Sequence, residues 1–179
     1  MLTKNWYILQ SLNMLASAER RLTNLKPLNW DGQKQLYYYP YKRDLDIYSA
    51  LNSVRTNLDP GVAGVFFGTG DTPASVADYK LSGDLIQNIV TSIYRTYSYS
   101  EAQQSLKALY TITNGNAEEI TIKEVILSVR YTHTSSGSSS ACVIDRTVLD
   151  TPVTIPAGGV GQVEYTITFN LPTATTQTN

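Results

Sequence analysis

The stretch Gly64–Tyr79, GVFFGTGDTPASVADY, is the part of the chain whose residue types come nearest to a ligand loop. An apolar run enters Gly68 and Gly70, and Asp71-Thr72-Pro73 follows with the look of a helix start. A phosphate loop needs backbone N–H groups aimed at the anion, usually with a helix N-terminus behind them. Its common forms are Gly-x-x-x-x-Gly-Lys-Ser/Thr and Gly-x-Gly-x-x-Gly. Here Asp71 places a carboxylate where phosphate would sit, Lys80 lies ten residues beyond Gly70, and Gly83 comes later still. The loop therefore reads as a turn. Gly68 and Gly70 are expected to take positive φ as the strand ends. Thr72 is expected to cap a short helical turn with Pro73 at its first position. Val76 and Tyr79 should then face the core, with Leu81 anchoring the exit.

Other reactive residue types are few. Asp71, Asp78 and Asp84 could line a cation site, but their spacing matches no calcium loop. The single histidine, His133, borders the serine-rich stretch SSGSSS, which suggests a Ser-His pair. No elbow motif surrounds any of those serines, and so long a polar loop would not hold a nucleophile and base in register. Cys142 begins an apolar run and reads as a small buried hydrophobe. Being the only cysteine, it allows no internal disulfide and no cysteine-based zinc site. Glu118-Glu119 sits in a hairpin turn, where solvation accounts for a carboxylate pair. The expectation is a protein with no catalytic residues, no cofactor and no metal.

The chain has 179 residues, 42% hydrophobic and only 16% charged, with a net charge of −1. That is enough for one domain with a substantial core and a surface built on Thr, Ser and Asn. It offers no overall electrostatic footprint for nucleic acid. The charge is uneven: residues 1–60 hold eight Lys/Arg against five Asp/Glu (+3), and residues 61–179 hold six against ten (−4). MLTKNWYILQSLNML is interrupted by Gln10, Ser11 and Asn13, so neither a secretion signal nor a membrane helix is expected.

The elements that would position these residues divide at Asp59-Pro60-Gly61. Residues 3–24 have helical periodicity, with Thr3 as a cap and Ile8, Leu12, Leu15 and Leu22 near one face. That face is too apolar for a lone helix, so a packing partner is expected. Residues 27–62 are irregular and rich in tyrosine, with Tyr37, Tyr38, Tyr39 and Tyr41 beside Lys42 and Arg43. Such a cluster can bind sugar or stack on bases. It equally suits a subunit interface, where tyrosine supplies area with a polar tip.

From Val62 onward the periodicity is that of strands. GVFFG is short and buried. The runs 88–100 and 105–114 alternate, the second with Leu106, Ala108, Tyr110 and Ile112 on one face. Asn114-Gly115-Asn116 is a turn. In 119–132 the inward phase passes from Ile120 and Ile122 to Val125, Leu127 and Val129, which predicts a bulge near Lys123–Val125. Runs 142–149 and 153–162 follow, the latter with a glycine-rich turn. VEYTITFNL puts Val163, Tyr165, Ile167, Phe169 and Leu171 inward. Short strands with turns between them predict a mainly β fold, an antiparallel β-sandwich of Ig-like or jelly-roll-like kind. The expected organisation is an N-terminal helix and tyrosine-rich assembly arm (1–60), the sandwich (61–172) and a loose tail (173–179).

The chain resembles a group of uncharacterised structural proteins of tailed bacteriophages. The likeness runs through VFFGTGDTPASVADYKLSGDLI (65–86), YTITNGNAEEITIKEVIL (110–127), IDRTVLDTPVTIPAGG (144–159) and VEYTITF (163–169), and includes the opening MLTKNWYILQSL. The resemblance implies a multi-copy virion component of the capsid (auxiliary or decoration), neck or tail, made in the host cytoplasm. It implies contacts with itself and with other virion proteins, while the charge balance and the lack of a long apolar run lead us to expect no nucleic-acid or membrane partner. On this reading Ile8, Leu12, Leu15, Leu22, Tyr37, Tyr38, Tyr39 and Tyr41 form the interface. The alternative is a carbohydrate- or receptor-binding module with the tyrosines as a sugar platform.

Overall fold

The computed structural model of the chain describes residues 1–3, 7, 32, 47–57, 62–100, 103–132 and 139–170. The eight expected interface residues lie outside this set, as do most of the expected N-terminal helix and the expected tail. Among the described residues the fold is mainly β. A short helix α1 (Ile47–Leu51) precedes β1 (Gly64–Gly68), β2 (Ile89–Tyr99), β3 (Gln103–Asn114), β4 (Ile120–Thr132), β5 (Ser139–Ile155) and β6 (Val160–Asn170). The strands form two three-stranded antiparallel sheets, ordered β1-β4-β5 and β2-β3-β6.

The alternation in the sequence sets the inner faces. Ala108, Tyr110 and Ile112 of β3 and Val163, Tyr165 and Ile167 of β6 share one buried cluster with Val65 and Phe67 of β1, Val125, Leu127 and Val129 of β4, and Cys142 and Ile144 of β5. The expected phase shift in β4 is a real break in register, between Ile122 and Glu124. A second break sits between Leu127 and Ser128, opposite Ile144. Two expectations are corrected here. Runs 142–149 and 153–155 are a single strand, because the first irregularity absorbs Leu149–Pro152 without ending the pairing. The Asn114–Asn116 turn joins strands of different sheets and so is not a hairpin. It is held by the fully buried Asn114, whose Nδ2 donates to the carbonyls of Glu118 (2.8 Å), Ile155 (3.1 Å) and Pro156 (3.1 Å).

Two stretches N-terminal to residue 61 lie against the sheets. Ala50 and Leu51 of α1 are in the main cluster, and the Tyr110 hydroxyl donates to the Leu51 carbonyl at 2.9 Å. Met1–Thr3 run along the free side of β5: the Thr3 N–H donates to Ile144 O (2.8 Å) and its hydroxyl to Val143 O (2.6 Å). Thr3, expected to cap a helix, is thus buried against a strand. The Met1 amino group stands 2.9 Å from Asp145 Oδ1, and the Tyr165 hydroxyl donates to Asp145 Oδ2 at 2.5 Å, linking β6 to β5.

Candidate functional site

The glycine loop covers the second face of sheet β1-β4-β5. Phe66, Ile126 and Val143 point away from the main core and are closed over by Leu81 and Leu85. Glu124 of β4 lies on this same covered face. It is fully buried, and it aims its carboxylate into the loop. There it accepts the backbone N–H groups of Gly70 (3.0 Å), Ser82 (3.1 Å) and Gly83 (2.9 Å). The loop is an anion cradle of the kind that turns of backbone N–H groups form, and the anion is the protein's own side chain.

Arg146 of β5, 1% exposed, completes the cluster. Its Nε donates to Glu124 Oε2 at 2.7 Å, and Nη1 donates to Asp78 Oδ2 at 2.9 Å and Pro73 O at 3.5 Å. Its Nη2 donates to Thr72 O at 2.8 Å and Ser82 Oγ at 2.6 Å. All five guanidinium N–H groups are thereby engaged, which is the condition for burying this group. Burial works against the arginine charge, but the hydrogen bonds and charges of Asp78 and Glu124 outweigh it and hold its pKa above the ordinary value. Chemically the cluster is saturated: each carboxylate meets donors from its own chain, and it straps the loop to the sheet.

This geometry corrects the reading of the glycines. Neither Gly68 nor Gly70 has positive φ. They are needed for space: a Cβ at Gly68 would stand 2.7 Å from Glu124 Oε1 and from Leu81 Cδ2. A Cβ at Gly70 would run into Ser82 Oγ, the Gly83 nitrogen and Glu124 Oε1. The expected helical turn at Thr72–Pro73 is absent as well. Ser75 and Asp78 close a small turn, with the Ser75 N–H donating to Asp78 Oδ2 at 2.8 Å. Thr72 serves through its carbonyl. Val76, expected to face the core, is 54% exposed, whereas Leu81 is buried as expected.

The three aspartates do not converge. Asp71 pairs with Lys123 at 2.9 Å, which holds its carboxyl below the usual aspartate value through a hydrogen bond and charge. Asp78 belongs to Arg146, and Asp84 uses its backbone, donating to Thr69 Oγ1 at 3.0 Å. Among the described residues no three acidic, histidine or cysteine side chains group as a metal site. Cys142 is fully buried, and desolvation pushes its thiol pKa well up. His133 lies outside the described residues. An open cleft of about 360 Å³ runs beside Thr69, Gln87, Asn88, Asn116 and Glu119. Its amides largely bond one another, Asn88 Nδ2 to Asn116 Oδ1 at 3.2 Å and Asn116 Nδ2 to Gln87 O at 3.0 Å. No membrane-length apolar helix occurs among the described residues.

Glu124 and Arg146 had no place in the sequence reading. The available signal was the unbroken apolar runs beside them, Val125-Ile126-Leu127 and Cys142-Val143-Ile144. Such runs mark strands covered on both faces, and a charge at the end of one is a candidate for burial. No protein-family model, curated protein sequence or solved structure matches the chain.

Proposed function

We propose that the chain is a multi-copy structural protein of a tailed-bacteriophage virion, acting through contacts with copies of itself and with other virion proteins. One observation carries the reading beyond the sequence resemblance. The loop at its centre spends its N–H donors on an internal carboxylate, so the best-formed polar cluster among the described residues fastens the fold and leaves no group to act on a substrate. In this reading the two sheets are the halves of an antiparallel β-sandwich, Ig-like or jelly-roll-like, serving as a rigid body. Residues 1–60 contribute the assembly arm, with its helix face of Ile8, Leu12, Leu15 and Leu22 and its tyrosines. Repetition of a modest interface under symmetry is then sufficient for assembly. Neither nucleic acid nor membrane is a partner, and the chain is made in the host cytoplasm before joining the particle. Quantitative mass spectrometry of purified particles tests this: the chain should be present at a fixed, high copy number. Its absence from particles, together with saturable glycan binding by the isolated chain, would overturn the reading in favour of a carbohydrate-binding module.

A further inference from the structure

Asparagine followed by glycine occurs once in the sequence, at Asn114-Gly115. It is a chemically labile pair, because glycine carries no side chain to shield its nitrogen. That nitrogen attacks the asparagine Cγ, the new C–N bond closes a succinimide ring, and Nδ2 leaves as ammonia with the glycine proton. Water then opens the ring to aspartate or isoaspartate. The fold nevertheless requires both residues. A Cβ at Gly115 would stand 2.6 Å from the Asn88 carbonyl oxygen, so only glycine fits there. The Gly115 N–H donates to that same oxygen at 2.8 Å. Asn88 itself takes a φ of 52°, a left-handed conformation that asparagine tolerates. Asn114 is required because its site needs an amide, with donors at one end and an acceptor at the other. Its Nδ2 faces the carbonyls of Glu118, Ile155 and Pro156. Its Oδ1 accepts the backbone N–H and the Nδ2 of Asn116, both at 2.9 Å. Its main chain is tied as well, the N–H to Gly159 O at 2.9 Å and the carbonyl to Gly158 N at 3.0 Å.

We infer that Asn114 is a deamidation site gated by the fold: silent while this clasp is closed, reactive once it opens, and unable to close again afterwards. Ring closure requires the side-chain amide to leave its partners and the Gly115 N–H to leave Asn88. Every polar atom of Asn114 is engaged, and the residue is 0% exposed, so water is kept from it too. The product does not fit the site. Aspartate sets a carboxylate against three carbonyls and offers them no N–H, leaving buried acceptors unpaired. Isoaspartate routes the main chain through the former side chain, and the added methylene shifts Gly115 from its place on Asn88. The clasp joins the end of β3 to the approach to β4 and to the turn between β5 and β6, so it ties one sheet to the other. Opening of this junction is therefore recorded in the covalent chain and cannot be undone by refolding. The inference goes beyond the proposed function and does not rest on it.

The test follows deamidation of the full chain by peptide mapping, in mildly alkaline buffer with and without unfolding urea. The peptide containing Asn114 should gain the mass of an amide-to-carboxyl exchange, and in water labelled with heavy oxygen it should take up the label. The reaction should run at least about tenfold slower in the folded chain, because it waits on opening. Asn116→Ala removes one donor to Asn114 Oδ1 while leaving the labile pair intact. It should speed the reaction of the folded chain severalfold and leave the rate in urea unchanged. Asn114→Asp, the product made directly, should show faster hydrogen exchange at 114–118 and 155–159 than the parent. Equal rates with and without urea overturn the gating, and no reaction in urea overturns the site. An Asn116→Ala chain that reacts no faster than the parent when folded removes the clasp as the gate. An Asn114→Asp chain with the parent's exchange pattern shows that the junction closes over the product, which overturns the one-way step.

Discussion

Sheet β1-β4-β5 and sheet β2-β3-β6 share one core but differ in everything that lies outside it. The first is covered on both faces, by the main cluster and by Leu81 and Leu85 of the glycine loop. Both of its edges also carry short pairings, Leu2 with Asp145 on β5 and Val54 with Val65 on β1. The second buries one face only. Its other face is a field of Ser92, Thr96, Thr111, Thr113, Thr166 and Thr168 around the exposed ion pair Lys107–Glu164, at 2.9 Å. The contrast shows where energy and recognition can reside. A sheet sealed on both sides must satisfy every polar group internally, so two of its buried charges, Glu124 and Arg146, become the anchor of the covering loop. A sheet with a wet face can vary there at little cost.

The largest test of that contrast is Arg146→Ala. It leaves Glu124 buried with no opposing charge, and breaking a buried pair from one side costs about 3–5 kcal/mol. Denaturant unfolding should report a loss of that size. Replacing both charges by apolar residues, often neutral elsewhere, should stay destabilising here, because it strands the N–H groups of Gly70, Ser82 and Gly83. A double variant as stable as the parent would show that the loop is not strapped by this cluster.

Gly70→Ala comes next. Its methyl group would enter the space of Ser82, Gly83 and Glu124, and overpacking at such a site costs about 1–3 kcal/mol. Hydrogen exchange should show residues 69–86 loosened ahead of the sheets. Uniform loosening of the whole chain would mean that the loop is part of the same cooperative unit.

A smaller effect is expected at the seam between α1 and the core. Tyr110→Phe removes the bond to the Leu51 carbonyl and should cost about 1 kcal/mol in the same unfolding measurement. An unchanged midpoint would place residues 47–51 outside the cooperative fold. On the wet face, Thr111→Val should shift stability by no more than about 0.5 kcal/mol, and a larger loss would show that this face is covered. Smallest of all is the exposed Asp71–Lys123 pair. The Asp71 carboxyl should titrate below the ordinary aspartate value of 3.8, and Lys123→Met should raise it in an NMR titration. The sign follows from the depressed value: what little the pair adds is present above the unfolded carboxyl's pKa and is lost as pH falls through the folded one.

By itself the sequence determined the strands and their inner faces. Alternation in β3 and β6 is a local property, since a residue two positions along returns to the same face, and Ala108, Tyr110, Ile112, Val163 and Tyr165 are buried as that period requires. The β4 phase shift was legible for the same reason, as an inserted residue leaves its mark in the pattern. What the sequence could not settle was which strands meet and what lies over them. Asn114-Gly115-Asn116 has the composition of a hairpin turn, yet it carries the chain from one sheet to the other, because β3 pairs with β2 and β6 while β4 pairs with β1 and β5. Gly68 and Gly70 have the spacing of a ligand loop, but their use depends on Glu124, more than fifty residues further on, whose carboxylate fills the cradle. Thr3 reads as a cap and becomes part of a sheet edge because β5 passes beside it. Each of these was decided by a contact between residues far apart in the chain. A buried charge or an N–H donor must find its partner somewhere in space, and only the tertiary structure determines which partner that is.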